Sequence, residues 1–332
     1  MASPNLLITG VTGFIGFRVL LDALAQGYVV RAAVRSSSQM EALRSHPKIE
    51  ALAPGDKLSF VEVLDFTRED AYLEAVQGVK YIIHLASPLP SPALDPQTGI
   101  YEPTVKSLAS MLRAASTTPS LKKLVITASV FANMAFPPDV TAETTADSRV
   151  ADRQGPFSNI VAAYSSGKVA ALNATDAFIK EKKPSFAVVN IFPGFVFGTD
   201  DKALSVKNLM SGTNRILLSI IRGVPAPSPM PAGVAHVYDV AKLHLLVLQE
   251  GVVGNYGVTK AHVFDDAWEI VKKHFPKAVD EGIFSQGRQQ TVPVKWDAHK
   301  TETEFGFNFR TYEDIVVDVA GQFLELSGEE KA

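Results

Sequence analysis

Thr9-Gly10-Val11-Thr12-Gly13-Phe14-Ile15-Gly16 is the stretch on which the fold is decided. It follows a short apolar run with a β-branched end, Asn5-Leu6-Leu7-Ile8-Thr9, and it opens a segment from Phe14 to Gln26 whose apolar residues recur at helical spacing before Gly27. The order is strand, tight turn, helix. A glycine at every third position removes the side chains that would obstruct a sharp turn, a close approach of backbone to an anion, and tight helix-to-sheet packing. The first N–H groups of the helix then point at that anion. The turn from Gly10 through Thr12, Gly13, Phe14 and Ile15 to Gly16 is therefore the candidate cradle for the pyrophosphate of a dinucleotide. Its spacing is one residue longer than GxGxxG.

Outward from the turn, short β-rich runs recur at Tyr28–Val34, Leu58–Leu64, Tyr81–Leu85, Leu121–Thr127 and Ser185–Phe192, each beside a helix-like stretch. Such alternation predicts an α/β fold, a doubly wound parallel sheet of Rossmann type. After Pro193 the texture changes to an amphipathic piece, NRILLSIIRG, and then to Val-Pro-Ala-Pro-Ser-Pro-Met-Pro, which suits neither a strand interior nor a helix interior. The expected organisation is a dinucleotide-binding domain over 1–192, with 236–258 returning to it, and a smaller substrate lobe from 193–235 and 259–332.

Composition narrows the function. The chain has 332 residues, a formal net charge of −3 and no Cys. It lacks the general positive charge that draws proteins to nucleic acid or anionic lipid, and it has neither disulfides nor thiolate chemistry. No run approaches the roughly 20 apolar residues of a membrane span, and none reads as a signal peptide. Cytoplasm is the expected location. The histidines show no metal-ligand spacing, so no metal is expected.

At the end of the second strand, an acidic side chain would bind the ribose 2′-hydroxyl of NAD, whereas an Arg can pair with the 2′-phosphate of NADP. The residue there is Arg35, followed by three serines. That points to NADP(H). A Tyr with a Lys four residues on shares one helix face, where an ammonium can lower the pKa of the phenol and the phenol can transfer a proton. Three such pairs occur: Tyr164/Lys168, Tyr238/Lys242 and Tyr256/Lys260. Tyr256 lies in an expected strand, where four residues span roughly 13 Å. Tyr238 begins a helix with no hydroxyl-bearing strand end shortly before it. Only Tyr164/Lys168 follows such an end, Ile126-Thr127-Ala128-Ser129.

With these residues in place, the chain resembles the extended short-chain dehydrogenase/reductases, in particular their dihydroflavonol-reductase-like, aldehyde-reductase and ketoreductase branch. The resemblance spans nearly the whole chain. It rests on TGVTGFIG (Thr9–Gly16), VRAAVRS (Val30–Ser36), HLASP (His84–Pro88), ITAS (to Ser129), YSSGK (Tyr164–Lys168), FPGFVFG (Phe192–Gly198) and HVYDVAKLHL (His236–Leu245). It implies that Ser129 orients a carbonyl, Tyr164 protonates its oxygen, and Lys168 holds the cofactor ribose and tunes Tyr164. It also implies cofactor contacts from Asp65 and Phe66 near adenine, from Ala86 and Ser87, and from Pro193, Gly194 and Val196 near the nicotinamide amide. Gly167 stands where Ser is usual in these relatives. The implied activity is NADPH-dependent reduction of a ketone or aldehyde. The partner would be a small, largely apolar carbonyl substrate, suggested by Phe131, Phe136, Phe157 and Phe195, and the enzyme a monomer or homodimer. Alternatives are a nucleotide-sugar epimerase or dehydratase and a non-catalytic NADP sensor.

Overall fold

Seven short strands form one sheet: β1 (Leu6–Thr9), β2 (Val30–Val34), β3 (Leu58–Glu62), β4 (Tyr81–His84), β5 (Lys123–Thr127), β6 (Ala187–Pro193) and β7 (Gly254–Val258). The computed structural model describes residues 5–328. Strand order is β7-β6-β5-β4-β1-β2-β3, and every neighbouring pair from β6 to β3 is parallel. The central strands are buried on both faces, and Leu6, Leu7, Ile8, Ile82 and Ile83 have no exposed surface.

Parallel neighbours need crossovers. They come from α1 (Phe14–Ala25), α2 (Ser37–Arg44), α3 (Glu102–Ser116) and α4 (Ile160–Lys182). Between β3 and β4 the chain instead makes successive three-residue turns, such as Leu73 N–H to Asp70 O and Val79 N–H to Val76 O. Tyr72, Ala75, Val76 and Val79 from that stretch are buried against Leu108, Met111 and Leu112 of α3. Each large apolar side chain so buried contributes about 1.5–3 kcal/mol.

The described chain divides into two units. One holds residues 5–137, 146–192 and 241–256, and the other residues 138–145, 193–240 and 257–328. These limits differ from the expected ones at 138–145, at 236–240 and at 257–258, and the first two differences have a local reason. Glu143–Thr145 pairs in parallel with Lys295–Asp297, which takes 138–145 into the second unit. Asp239, near the start of the next helix (Val237–Leu246), accepts the Arg310 N–H at 2.8 Å and pairs with the Arg310 guanidinium, which takes 237–240 there too. The second unit has its own core. Helices Asn214–Ile221, Asp266–His274 and Tyr312–Ser327 enclose Phe197, Phe264, Phe284 and Phe323. The last of these helices starts with a reciprocal cap between Thr311 and Asp314.

Candidate active site

Because the strands are parallel, their carboxyl ends share one edge, and the strand order reverses between β1 and β4, where open α/β sheets bind ligands. The glycine turn lies there. Gly10 has φ +74°, and a Cβ on it would come within 2.9 Å of the Ala86 nitrogen. A Cβ on Gly16 would sit 2.1 Å from the Gly10 oxygen, whereas one on Gly13 would be 3.2 Å away. Gly13 caps α1 without any side-chain hydrogen bond, which leaves the helix N-terminus open to an anion. A dinucleotide pyrophosphate fits a cradle of this kind, made of backbone and closed to side chains.

Thr9 ties the turn to the next loop. Its hydroxyl accepts the Leu85 and Ala86 N–H groups, each at 3.1 Å, and lies 2.9 Å from His84 Nδ1. With both amides aimed at the oxygen, the hydroxyl proton goes to Nδ1, which makes His84 a neutral acceptor at that nitrogen. Burial, reinforced by the Lys168 charge, pushes the imidazole down to about 3. Sequence reading passed over this pair, although β1 and β4 place Thr9 directly opposite His84.

Arg35 is exposed at the end of β2. Its N–H donates to Gln39 Oε1 at 2.9 Å, and among the described residues its guanidinium has no hydrogen bond or ion pair. Ser36 caps α2 by accepting the Gln39 N–H. Asp65 is exposed beyond β3, and hydrogen bonds from the Thr67 hydroxyl and N–H hold its carboxyl below the usual range. Phe66 packs partly buried on the first unit's core. The Ser87 hydroxyl is buried, has no hydrogen-bond partner among the described residues, and lines a small cavity with Thr127, Lys168 and Asn190.

Ser129, Tyr164 and Lys168 come together at the end of β5. Asn159 starts α4 by accepting the Ala162 N–H at 2.9 Å, which sets Tyr164 and Lys168 on one face. Lys168 Nζ lies 5.8 Å from the Tyr164 ring centroid and donates to the Thr127 carbonyl at 3.3 Å. The Ser129 hydroxyl accepts the Phe131 N–H at 3.2 Å and hydrogen-bonds the Tyr164 phenol. Burial raises the phenol above its ordinary value, and the Ser129 bond only partly opposes this. The net direction is thus opposite to the lowering expected from the ammonium. Burial brings Lys168 down to about 8. Gly167 has a steric reason: a Cβ there would meet Thr104 Cβ at 3.3 Å and Tyr101 Cα at 3.5 Å.

The other two pairs have structural partners. Tyr238 donates to Asp201 at 3.4 Å under the Arg310 guanidinium, while Tyr256 donates to Val253 O and Lys260 approaches Glu302. Pro193 ends β6, and Gly194 and Val196 follow it in the second unit. There the Gly194 N–H donates to Val258 O and Val196 pairs with Ala235.

The family model described as the NAD dependent epimerase/dehydratase family matches residues 6–258, from β1 to the end of β7. The chain belongs to this family. Among its relatives, Ketoreductase CTB6 of Cercospora beticola is 35% identical, with 98% of this chain and 96% of that protein covered. NAD-dependent epimerase/dehydratase FUM13 of Gibberella moniliformis is 32% identical over 96% of this chain and 95% of its own. Among solved structures, yeast methylglyoxal/isovaleraldehyde reductase Gre2 complexed with NADPH superposes with a TM-score of 0.84 at 24% identity, covering 98% of this chain and all of that one. The resemblance to extended short-chain dehydrogenase/reductases read from the motifs is borne out. In this epimerase/dehydratase frame the fold class is likewise the expected one.

Proposed function

We propose that this chain reduces a ketone or aldehyde to an alcohol with NADPH. The observation that carries the reading is the meeting of the Ser129 hydroxyl, the Tyr164 phenol and the Lys168 ammonium at the carboxyl end of β5. The ketoreductase relatives support it.

The backbone from Gly10 to Gly16, with Thr12, Phe14 and Ile15 at the helix start, would hold the pyrophosphate. Arg35 would pair with the 2′-phosphate, Asp65 and Phe66 would flank adenine, Ala86, Ser87 and Lys168 would take the ribose, and Pro193, Gly194 and Val196 would meet the carboxamide. When bound, NADPH supplies the hydride. Ser129 orients the carbonyl oxygen by donating to it, and Tyr164 delivers its proton to that oxygen. A phenol raised by burial is fully protonated at neutral pH, the state a reductase needs in its acid. Lys168, at about 8, carries its charge at pH 7 and faces the phenolate left behind.

The substrate in this reading is small and largely apolar. The Phe131 ring stands edge-on to Tyr164 at 6.1 Å, and Phe157 packs on Tyr101 at 4.9 Å. A cysteine-free chain suits the cytoplasm, and among the described residues no helix is long and apolar enough to cross a membrane. A monomer or homodimer completes the proposal.

The test is NADPH oxidation by the purified protein against a panel of aromatic and aliphatic ketones and aldehydes, with NADH alongside. Turnover that prefers NADPH supports the reductase. Tight NADPH binding with no turnover on any carbonyl would overturn it in favour of an epimerase or a sensor.

A further inference from the structure

Buried hydroxyls on these helices commonly bond back to their own preceding turn: Thr104 donates to Ile100 O and Thr175 to Ala171 O. Ser165, 2% exposed and adjacent to Tyr164, does not. It donates to the Phe131 carbonyl at 3.3 Å, 34 positions away and on a different element.

Phe131 sits in the short turn Val130–Ala132 that follows Ser129 directly. Its N–H donates to the Ser129 hydroxyl oxygen at 3.2 Å, its ring stands edge-on to the Tyr164 ring, and the Ala132 N–H closes the turn on Ser129 O at 2.8 Å. A hydroxyl has one proton and two acceptor sites. With the Phe131 amide occupying one acceptor site of the oxygen, the single Ser129 proton is available to the Tyr164 phenol beside it or to a carbonyl oxygen bound there, and Ser129 acts as donor.

We propose that Ser165 is a positioning residue: by gripping the Phe131 carbonyl it fixes the turn whose amide makes Ser129 a hydrogen-bond donor to the substrate carbonyl. This deepens the reductase reading and rests on it. The grip joins the helix that carries Tyr164 to the strand end that carries Ser129, so the two groups keep one spacing. Without it the turn can shift and the Ser129 hydroxyl can rotate, while the cofactor cradle, built on other elements, is untouched.

The experiment is a double-mutant cycle in NADPH-dependent carbonyl reduction with Ser165→Ala, Ser129→Ala and the double variant, plus Ser165→Cys, which keeps a weak donor. The dissociation constant for NADPH is read by fluorescence. Ser165→Ala is expected to lower kcat about fivefold, the size of one neutral hydrogen bond, with NADPH affinity unchanged. Ser165→Cys recovers part of that loss, and Ser165→Ala costs nothing further once Ser129 is alanine. A wild-type kcat in Ser165→Ala, or a loss that multiplies in full with Ser129→Ala, would overturn the proposal. Should Ser165→Ala fail to fold, Ser165→Cys carries the same cycle. If Ser129→Ala itself keeps full activity, the site reading falls first; if Ser129→Ala is crippled and Ser165→Ala is not, only the positioning role falls.

Discussion

The glycine turn after β1 and the Ser129–Tyr164–Lys168 corner after β5 lie at carboxyl ends of strands in the same sheet, yet they are made of different material. The turn is backbone and missing side chains: what matters at Gly10 and Gly16 is that nothing projects, because a methyl group would lie 2.9 Å or 2.1 Å from main-chain atoms. The corner is side chains held by other side chains and by two carbonyls, those of Thr127 and Phe131. A site of the first kind tolerates chemical change and fails on added volume. A site of the second kind tolerates small changes of volume and fails when one donor or charge is removed. Four substitutions put that contrast to the test.

Gly16→Ala tests the volume rule at its most severe. The Gly10 carbonyl must move, which costs on the order of 3 kcal/mol and weakens NADPH binding roughly a hundredfold. A fluorescence titration within threefold of wild type would show that the turn is not the cradle.

Lys168→Met tests the charge rule and carries a pH signature. Burial lowers the ammonium from 10.5 to about 8, so below pH 8 the folded protein keeps a charge in a place that disfavours it. The full deficit, on the order of 3 kcal/mol, is present there. Between about 8 and 10.5 the unfolded chain still binds the proton while the folded one has lost it, so wild-type stability rises with pH across that window. The variant is therefore expected to lose activity, to melt above wild type at pH 7, and to lose that advantage as pH approaches 10. A variant that melts lower at pH 7 and keeps the same offset at pH 10 would contradict the burial account.

Arg35→Ala should raise the KM for NADPH about tenfold and leave that for NADH unchanged, because only the charge-assisted contact to the 2′-phosphate is lost. Equal effects on both cofactors would remove the assignment. Gly13→Ala is the mildest: a contact of 3.2 Å asks for a shift of a few tenths of an ångström. A loss of no more than about threefold in NADPH affinity is expected, and a loss as large as that of Gly16→Ala would mean that volume is not what separates the two glycines.

The same contrast explains what could be read from the sequence. The turn was legible because steric exclusion acts within eight consecutive residues, and Arg35 because its place at a strand end follows from strand order. The corner was legible only in outline. Three Tyr/Lys pairs look alike as motifs, and Tyr164 stands out through what precedes it, a strand ending in Ser129. The contacts that hold the turn and the corner join distant residues: Thr9 to His84 across 75 positions, Lys168 to Thr127 across 41, Ser165 to Phe131 across 34. No local pattern announces them. The direction of the Tyr164 shift escaped for the same reason, since burial is a property of the folded surroundings and outweighs what the neighbouring residues promise. The pairing of Glu143–Thr145 with Lys295–Asp297 has no signal in either segment, and so the unit boundary near residue 138 was not foreseen.

Whether Tyr164 is the acid of an NADPH-dependent carbonyl reductase is decided by single-turnover oxidation of pre-bound NADPH, comparing wild type with Tyr164→Phe on the best carbonyl of the panel. Unchanged NADPH affinity and a rate lower by about 10² to 10⁴ are expected. A Tyr164→Phe protein that binds NADPH and turns over at the wild-type rate would contradict that role.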